Sequence, residues 1–193
     1  MYNGEWPIFQ SELIDLFGRP SKRARNNSWL TFIDLSQYRP YLSHVTGYWE
    51  SHRDGRWGFS GHELLQDELP LVIETMIARN VIQELKTFDG CWNVRLMTSG
   101  RSFSVHSWGL ALDFNAASNG YGDGWSFSDE YYKCWADHGW EVGSLWGTPD
   151  GMHVQLPWTR DWRRRESGIY TPKINFIEPG PPKDEFEGYE DPR

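Results

Sequence analysis

Two of the six histidines, His106 and His153, lie in sequence contexts that suggest metal binding. His106 precedes an apolar run that ends on Asp113, and a buried carboxylate costs several kcal/mol unless it is paired or bound to a cation. His153 follows a turn at residues 148–151 and begins another apolar run. Two imidazoles and one carboxylate form the ligand set of a catalytic zinc site, which keeps a fourth position for water. The sequence therefore predicts a Zn2+ site formed by His106, Asp113 and His153.

The seven-residue separation of His106 and Asp113 bears on the local backbone. Residues an odd number of positions apart face opposite sides of one continuous strand. We therefore expect His106 to precede the strand on a bend, for which Ser107 and Gly109 are suitable.

Two further residues are candidates for catalysis. Asp150 lies three residues before His153, and Gly151 between them lets the backbone bend. A general base must lie within about 2.6–3.2 Å of the proton that it removes, and zinc lowers the pKa of its water to about 7, so a carboxylate is a sufficient base. Arg95 is a fixed cation suited to a substrate carboxylate or a developing oxyanion. These residues predict hydrolysis by a metal-bound water that Asp150 activates.

Two motifs carry a family resemblance. The segment SVHSWGLALD, residues 104–113, matches the pattern Ser-x-His-x-x-Gly-x-Ala-x-Asp of the M15 zinc peptidases, and DGMH, residues 150–153, resembles their second signature. This family contains D-alanyl-D-alanine carboxypeptidases and L-alanyl-D-glutamate endopeptidases, which cut the stem peptides of bacterial peptidoglycan. The upstream sequence resembles the variant common in phage lysis enzymes. The chain departs from that variant's usual Trp-Gly-Gly at residues 141–147 and has Val154 where Phe follows the last histidine.

The resemblance assigns roles to individual residues. The implied zinc ligands are His106, Asp113 and His153. The implied base is Asp150, and the arginine that binds substrate or stabilises the tetrahedral intermediate is Arg95 or, as the alternative, Arg101. Ser104 is a candidate for a hydrogen bond to substrate. The implied fold is a small antiparallel sheet flanked by helices, as in the Hedgehog signalling domain.

Other interpretations stay open for the same residues. His106 and Asp113 alone are typical of a pair that ties a loop to a strand end, and Ser104 is equally suited to capping a turn. Two histidines and one carboxylate also hold Fe(II) in oxygenases, although there the acid usually follows a histidine by two residues. A non-catalytic, Hedgehog-like zinc-binding domain needs no base, so the presence of Asp150 argues against it. His52 and His62, near several acids, form a competing pair.

Tryptophan is abundant, with 12 Trp beside 10 Phe and 9 Tyr in 193 residues. Exposed aromatic rings would indicate a carbohydrate-binding module, because such rings stack on the apolar faces of sugars. Eight of the twelve tryptophans follow residue 90 and are interleaved with the candidate site. That distribution favours the wall of a catalytic cleft, and we expect Trp108 and Trp146 to contact substrate.

The composition excludes several classes of protein. A net charge of -8 argues against nucleic acid as a partner, and two cysteines exclude a disulfide scaffold. No apolar run approaches the roughly 18–20 residues of a membrane span. The N-terminus shows no basic region followed by an apolar one. We therefore expect a protein made in the cytoplasm, and we expect it to be a monomer. The resemblance implies that it acts on the cell wall, and it leaves open a phage lysis enzyme, a virion component and a bacterial enzyme.

The elements predicted from periodicity alternate between helix and strand. Helices are predicted at residues 8–17, at 62–85 with Pro70 dividing or beginning a part, and at 126–138, with a capping box from Ser126 and a stop at Gly139. Strands are predicted at residues 91–97, 108–114 and 152–156. A mixture without a regular βαβ repeat predicts an α+β fold.

Three regions are expected along the chain. Residues 1–60 form an N-terminal helix and an aromatic-rich extension packed on the core, and residues 61–172 form the peptidase core. Residues 173–193 form an acidic, proline-rich tail, with four prolines and six acids from Glu178 onward. Such a composition buries too little apolar surface to stay ordered.

Overall fold

The computed structural model describes residues 10–97 and 102–156. Its α-helices are α1 (Gln10–Phe17), α2 (Arg39–Leu42), α3 (Leu65–Ala78) and α4 (Asp129–Ala136). Its β-strands are β1 (Leu30–Asp34), β2 (Thr46–Gly47), β3 (Glu50–Ser51), β4 (Trp57–His62), β5 (Thr87–Gly90), β6 (Ala111–Phe114), β7 (Glu141–Val142) and β8 (His153–Gln155). Short 3-10 turns lie at Ala24–Asn26, Ser36–Tyr38, Ile82–Glu84, Val105–Trp108 and Gly143–Leu145. Arg101 and the expected tail lie outside the described residues.

The strands form two sheets. The first has the order β1-β4-β3 and is antiparallel, and the second has the order β2-β5-β6-β8-β7, with only β2 and β5 parallel. In the second sheet Asp113 of β6 is paired with His153 of β8. The predicted α+β class is confirmed, with two small sheets where the resemblance implied one. No helix in the described part of the chain is long and apolar enough to cross a membrane.

One helix, α3, spans Pro70 without interruption. Its buried residues recur at helical spacing on one face, and they are Leu65, Leu69, Val72, Ile73 and Met76. Proline in a helix interior costs about 3 kcal/mol, and the burial of five large apolar side chains outweighs that cost. The expectation that Pro70 divides or begins a helix is therefore wrong, since the apolar face continues on both sides of it.

Residues 91–97 do not form the predicted strand. The strand ends before them at Gly90, where the pairing of β5 with β6 shifts its register. The segment forms backbone hydrogen bonds instead with the turn that carries His106. Asn93 N donates to His106 O at 3.0 Å, and Ser104 N donates to Arg95 O at 3.0 Å. The alternating pattern thus reflects an extended segment whose partner is a loop and not a strand.

Two other predicted boundaries are corrected. Of the predicted strand at residues 108–114 only Ala111–Phe114 is strand, because residues 105–108 form a 3-10 turn. The N-cap of α4 is Ser128, whose Oγ accepts a hydrogen bond from Tyr131 N at 3.1 Å, and not Ser126. The stop at Gly139 is confirmed by its φ of 76°.

The aromatic-rich stretch before residue 61 contains four strands that periodicity did not reveal. Its rings pack on one another, with Trp49 stacked on Trp57 at 4.3 Å between centroids and Phe88 of β5 at 4.6 Å from Trp49. β4 also runs across residue 60, the expected border of the extension. Buried apolar residues from α1 to β8 form one hydrophobic core.

Candidate metal centre and active site

Three side chains converge at one point beside the five-stranded sheet. Asp113 Oδ2 lies 3.0 Å from His106 Nε2, and Asp113 Oδ1 lies 3.0 Å from His153 Nδ1. The two imidazole nitrogens are 3.2 Å apart, and all the ligand atoms lie within 4.8 Å of one another. This is the one group of three or more potential metal-ligating residues found among the residues that the structure describes.

Local structure explains how His106 reaches this point. It lies in the turn Val105–Trp108, which begins at Ser104, whose Oγ accepts a hydrogen bond from His106 N at 3.4 Å. Gly109 ends the turn with a φ of 65°, and a Cβ there would lie 2.9 Å from His62 N. Only glycine fits both conditions. His106 therefore lies on a bend before β6, as its separation from Asp113 predicted.

The outer nitrogen of each imidazole faces an oxygen acceptor. His106 Nδ1 lies 2.6 Å from the carbonyl oxygen of Cys91, and His153 Nε2 lies 2.9 Å from Gln155 Oε1. The amide orientation of Gln155 is set by its Nε2, which donates to Glu141 Oε2 at 3.0 Å. Each outer nitrogen is thus the N–H donor, so the inner nitrogen of a neutral ring presents its lone pair. Two lone pairs and a carboxylate then point at one place, which is the chemistry of a cation site.

Electrostatics at the cluster favour the charged carboxylate. Burial raises the pKa of Asp113, but the charges and hydrogen bonds of His106 and His153 outweigh it and hold that pKa well below its usual range. Burial lowers the pKa of His153, yet the hydrogen bond and charge of Asp113 reverse the effect and raise it. A buried carboxylate that stays ionised requires positive charge beside it.

Asp150 lies in a tight turn next to the cluster. Its backbone N donates to Gly143 O at 2.9 Å, and its carbonyl oxygen accepts from His153 N at 3.1 Å. The side chain is buried, and Oδ1 has no hydrogen-bond partner among the described residues. Burial raises the pKa of Asp150, while the positive charges of His153, His106 and Arg95 oppose that rise. A buried carboxyl oxygen without a partner is an unsatisfied acceptor, which is uncommon in folded proteins and marks this side chain as a candidate for function.

The predicted substrate residues have different environments. Arg95 is exposed, and its charge reaches Asp150. Trp146 is partly exposed, and its ring lies 5.0 Å from that of His153. Trp108 has no exposed surface and donates from Nε1 to Gly18 O at 2.9 Å. The expectation that Trp108 contacts substrate is therefore corrected, because its ring lies in the core. Ser104 is buried and caps the turn of His106, which is the alternative left open for it.

Two further residues, Gln155 and Glu141, form a chain of hydrogen bonds that ends on His153. Gln155 follows His153 by two positions on β8, and residues so spaced share a face of a strand. That spacing was a usable signal for Gln155. Glu141 is paired with Gln155 across β7 and β8, a long-range register that no local pattern reveals. Glu141 Oε1 also accepts from Trp146 Nε1 at 2.9 Å, so it links the indole to the histidine through Gln155.

His52 and His62 do not form the competing pair. His62 is fully buried, with its ring stacked on Trp29 at 5.3 Å. His52 is exposed, with its ring 4.1 Å from that of Phe32, and lies 3.8 Å from Glu50. The two rings therefore have separate surroundings, and neither contributes to the metal-ligating group.

Comparison with known proteins agrees with this geometry. Residues 98–156 match the sequence model of a family described as D-alanyl-D-alanine carboxypeptidase. No curated protein and no solved structure matches the chain. The matched segment contains the three clustered side chains and Asp150. Over these residues the chain is similar to that family of carboxypeptidases, and the same residues include the group of side chains that could hold a metal ion.

Proposed function

We propose that the protein is a zinc peptidase that hydrolyses peptide bonds in the stem peptides of bacterial peptidoglycan, either as a carboxypeptidase or as an L-alanyl-D-glutamate endopeptidase. One observation carries the proposal: His106 Nε2, His153 Nδ1 and the Asp113 carboxylate converge, and Asp150, whose carboxyl group interacts electrostatically with all three residues, has a buried oxygen without a partner among the described residues. A structural metal site does not need a base next to it, whereas a hydrolytic site does.

Zinc suits the donor set on chemical grounds. Two imidazole nitrogens and one carboxylate oxygen are the protein ligands of several hydrolytic zinc sites, which leave a position open. Bound at His106, Asp113 and His153, zinc would supply Lewis acidity that lowers the pKa of water to about 7 and polarises a carbonyl oxygen. The outer hydrogen bonds from the two histidines to Cys91 O and Gln155 Oε1 keep the inner nitrogens free for an ion.

The protein's own groups then complete the reaction. Asp150 accepts a proton from the attacking water and later donates it to the leaving amine, so that one water is consumed for each peptide bond broken. Its raised pKa brings it closer to the pH at which both transfers are efficient. Arg95 stabilises the developing oxyanion or binds a substrate carboxylate, and Trp146 covers one side of the cluster and excludes water. We further propose that the protein acts as a monomer and serves in phage lysis or entry.

The test uses a purified muropeptide of known structure and mass spectrometry of its products. We expect the wild-type protein to release a fragment and the Asp150→Asn variant to lose at least about 100-fold in rate while it still binds metal. We expect His106→Ala to lose both activity and metal. Full activity of Asp150→Asn would contradict the proposed base, and a wild-type protein that purifies without zinc and binds none would contradict the metal site.

A further inference from the structure

Two exposed aromatic side chains lie in a loop next to the turn that carries Asp150. The segment between β6 and α4, residues 115–128, is here called the aromatic loop, and it carries Tyr121 and Trp125. Tyr121 is 55% exposed and Trp125 is 46% exposed, which are high values for rings of this size. No described contact covers these surfaces, and the proposed reaction uses neither residue.

The backbone connects this loop directly to the turn of Asp150. Tyr121 and Asp150 form an isolated antiparallel bridge, and Gly122 N donates to Pro149 O at 2.7 Å. Farther along, Met152 N donates to Asn119 O at 2.9 Å. The aromatic loop is therefore paired with residues 149–152 on both sides of Asp150.

Trp125 packs on the same turn from its other end. A Cβ on Gly151 would lie 2.6 Å from Trp125 Cβ and 3.3 Å from Asn119 Cβ. Glycine at this position is thus required by the close approach of the loop. The glycine of the DGMH motif therefore has a second role here, since it admits Trp125 beside Asp150.

Hydrogen bonds from buried side chains hold the aromatic loop in one conformation, so the positions of its two exposed rings are fixed. Asn119 is fully buried, and its Oδ1 accepts from Ser126 N at 2.6 Å while its Nδ2 donates to Asn115 O at 3.0 Å. Asn115 in turn accepts from Thr87 N at 2.9 Å, which joins the loop to β5. Preorganised rings bind a ligand with little loss of conformational entropy.

We propose that Tyr121 and Trp125 form a subsite for the sugar rings of the glycan strand to which the stem peptide is attached. This inference rests on the proposed function. The bonds that the resemblance names join alanine and glutamate, whose side chains are a methyl group and a short carboxylate. Neither offers a broad apolar surface, whereas a pyranose ring presents a face of C–H groups that stacks on an aromatic ring. The glycan is thus the part of this substrate that two exposed rings fit.

The test compares two substrates that share one peptide. The first is a muropeptide with its disaccharide, and the second is the same peptide without sugar. We expect Trp125→Ala and Tyr121→Ala to raise KM for the first roughly 3–10-fold and to leave the kinetics on the second unchanged. Trp125→Phe keeps an aromatic ring, so its KM for the first substrate should stay close to that of the wild-type protein. Tyr48→Ala is the matched control, because Tyr48 is 71% exposed and follows β2, which is three strands away from β8.

The outcomes separate the subsite from the proposed function. An equal loss on both substrates, or no loss on either, would overturn the subsite, since the rings would then only support the turn of Asp150 or do nothing. If the wild-type protein cuts neither substrate, the proposed function fails. A titration with the free disaccharide, followed by the indole N–H signal that Trp125→Phe removes, then decides the subsite by itself: a saturable shift supports it and the absence of a shift overturns it.

Discussion

Glu141 accepts hydrogen bonds from two side chains that meet at His153. Its carboxylate receives Gln155 Nε2 at 3.0 Å and Trp146 Nε1 at 2.9 Å, and the acceptor of the His153 Nε2 proton is Gln155. A carboxylate offers two acceptor oxygens to these two donors. Glu141 is therefore a positioning residue, which orients the imidazole through Gln155 and the indole directly.

We predict that Glu141→Gln weakens metal binding by about 10–100-fold. The new amide presents one acceptor and one donor, so one of the two existing donors loses its partner. Chelator competition measures the affinity, and histidine 15N shifts report the tautomer of His153. Glu63→Gln, at an exposed acid before α3, is the control for the change in charge. An unaltered affinity in Glu141→Gln would contradict the role.

His62 shows how burial makes a single residue sensitive to pH. It lies between Trp29 and Phe17, and burial lowers its pKa from 6.5 to about 4. The unfolded chain therefore binds a proton at His62 between about pH 6.5 and pH 4, while the folded protein does not. Stability from this residue is full above pH 6.5 and falls as the pH drops through that window.

We predict that His62→Asn reduces the acid sensitivity of folding. Asn keeps an acceptor for Leu64 N, which His62 Nδ1 now provides, and it does not titrate. Between pH 7 and pH 4.5 the wild-type protein should lose about 2 kcal/mol more of its unfolding free energy than the variant. Urea unfolding at both pH values provides the measurement. Parallel losses in the two proteins would contradict this prediction, because they would show that the pKa of His62 is the same in the folded and unfolded states.

At the scale of elements, two tryptophans attach α1 to the rest of the fold. Trp29 Nε1 donates to Phe17 O and Trp108 Nε1 donates to Gly18 O, each at 2.9 Å. Carbonyl groups at the end of a helix have no partner within the helix, so these indoles satisfy them. Because Trp108 also belongs to the turn of His106, α1 is packed against the element that carries a candidate ligand.

We predict that Trp29→Phe loosens α1 selectively. The change keeps an aromatic ring but leaves Phe17 O without its donor, a loss of about 1 kcal/mol. Amides of Gln10–Phe17 should then exchange faster with solvent, while those of β6 and β8 should not. Trp140→Phe is the matched control, because Trp140 Nε1 is buried with no hydrogen-bond partner among the described residues. Equal effects of both variants would mean that ring size, and not the hydrogen bond, attaches α1.

At the scale of the whole molecule, the candidate metal centre joins three separate pieces of chain. His106 lies in a turn, Asp113 in β6 and His153 in β8. An ion that binds to all three residues stabilises only the folded state, because the unfolded chain does not hold these ligands together. The folding of the domain and the loading of the site are therefore coupled.

We predict that removal of metal by a chelator lowers the melting temperature and that zinc restores it. At a free metal concentration about 1,000 times Kd, the bound ion contributes about 4 kcal/mol. His106→Ala should show no difference with or without zinc, whereas His52→Ala, at an exposed histidine, should behave as the wild type does. Calorimetry of the three proteins, each with and without zinc, checks this. A zinc-dependent shift in His106→Ala would place the ion elsewhere.

The α+β class and the local motifs were predictable from sequence because they depend on short-range pattern. The spacing within residues 104–113 and 150–153 identified the three clustered side chains and Asp150, and the bend before β6 followed from an odd separation. The apolar face of α3 was also visible, although Pro70 obscured its continuity. Each of these features is set by residues within about ten positions of one another.

Tertiary structure alone decided which distant residues support them. The pairing of Glu141 with Gln155, the burial of Trp108 against Gly18, and the approach of Trp125 to Gly151 each join positions whose contact depends on how whole elements pack. Residues 91–97 have the alternating pattern of a strand but form hydrogen bonds with a turn. Which segment lies beside them depends on the tertiary fold and not on their own composition. Sequence alone thus determined the candidate chemistry, and the long-range pairing of strands and loops determined what surrounds it.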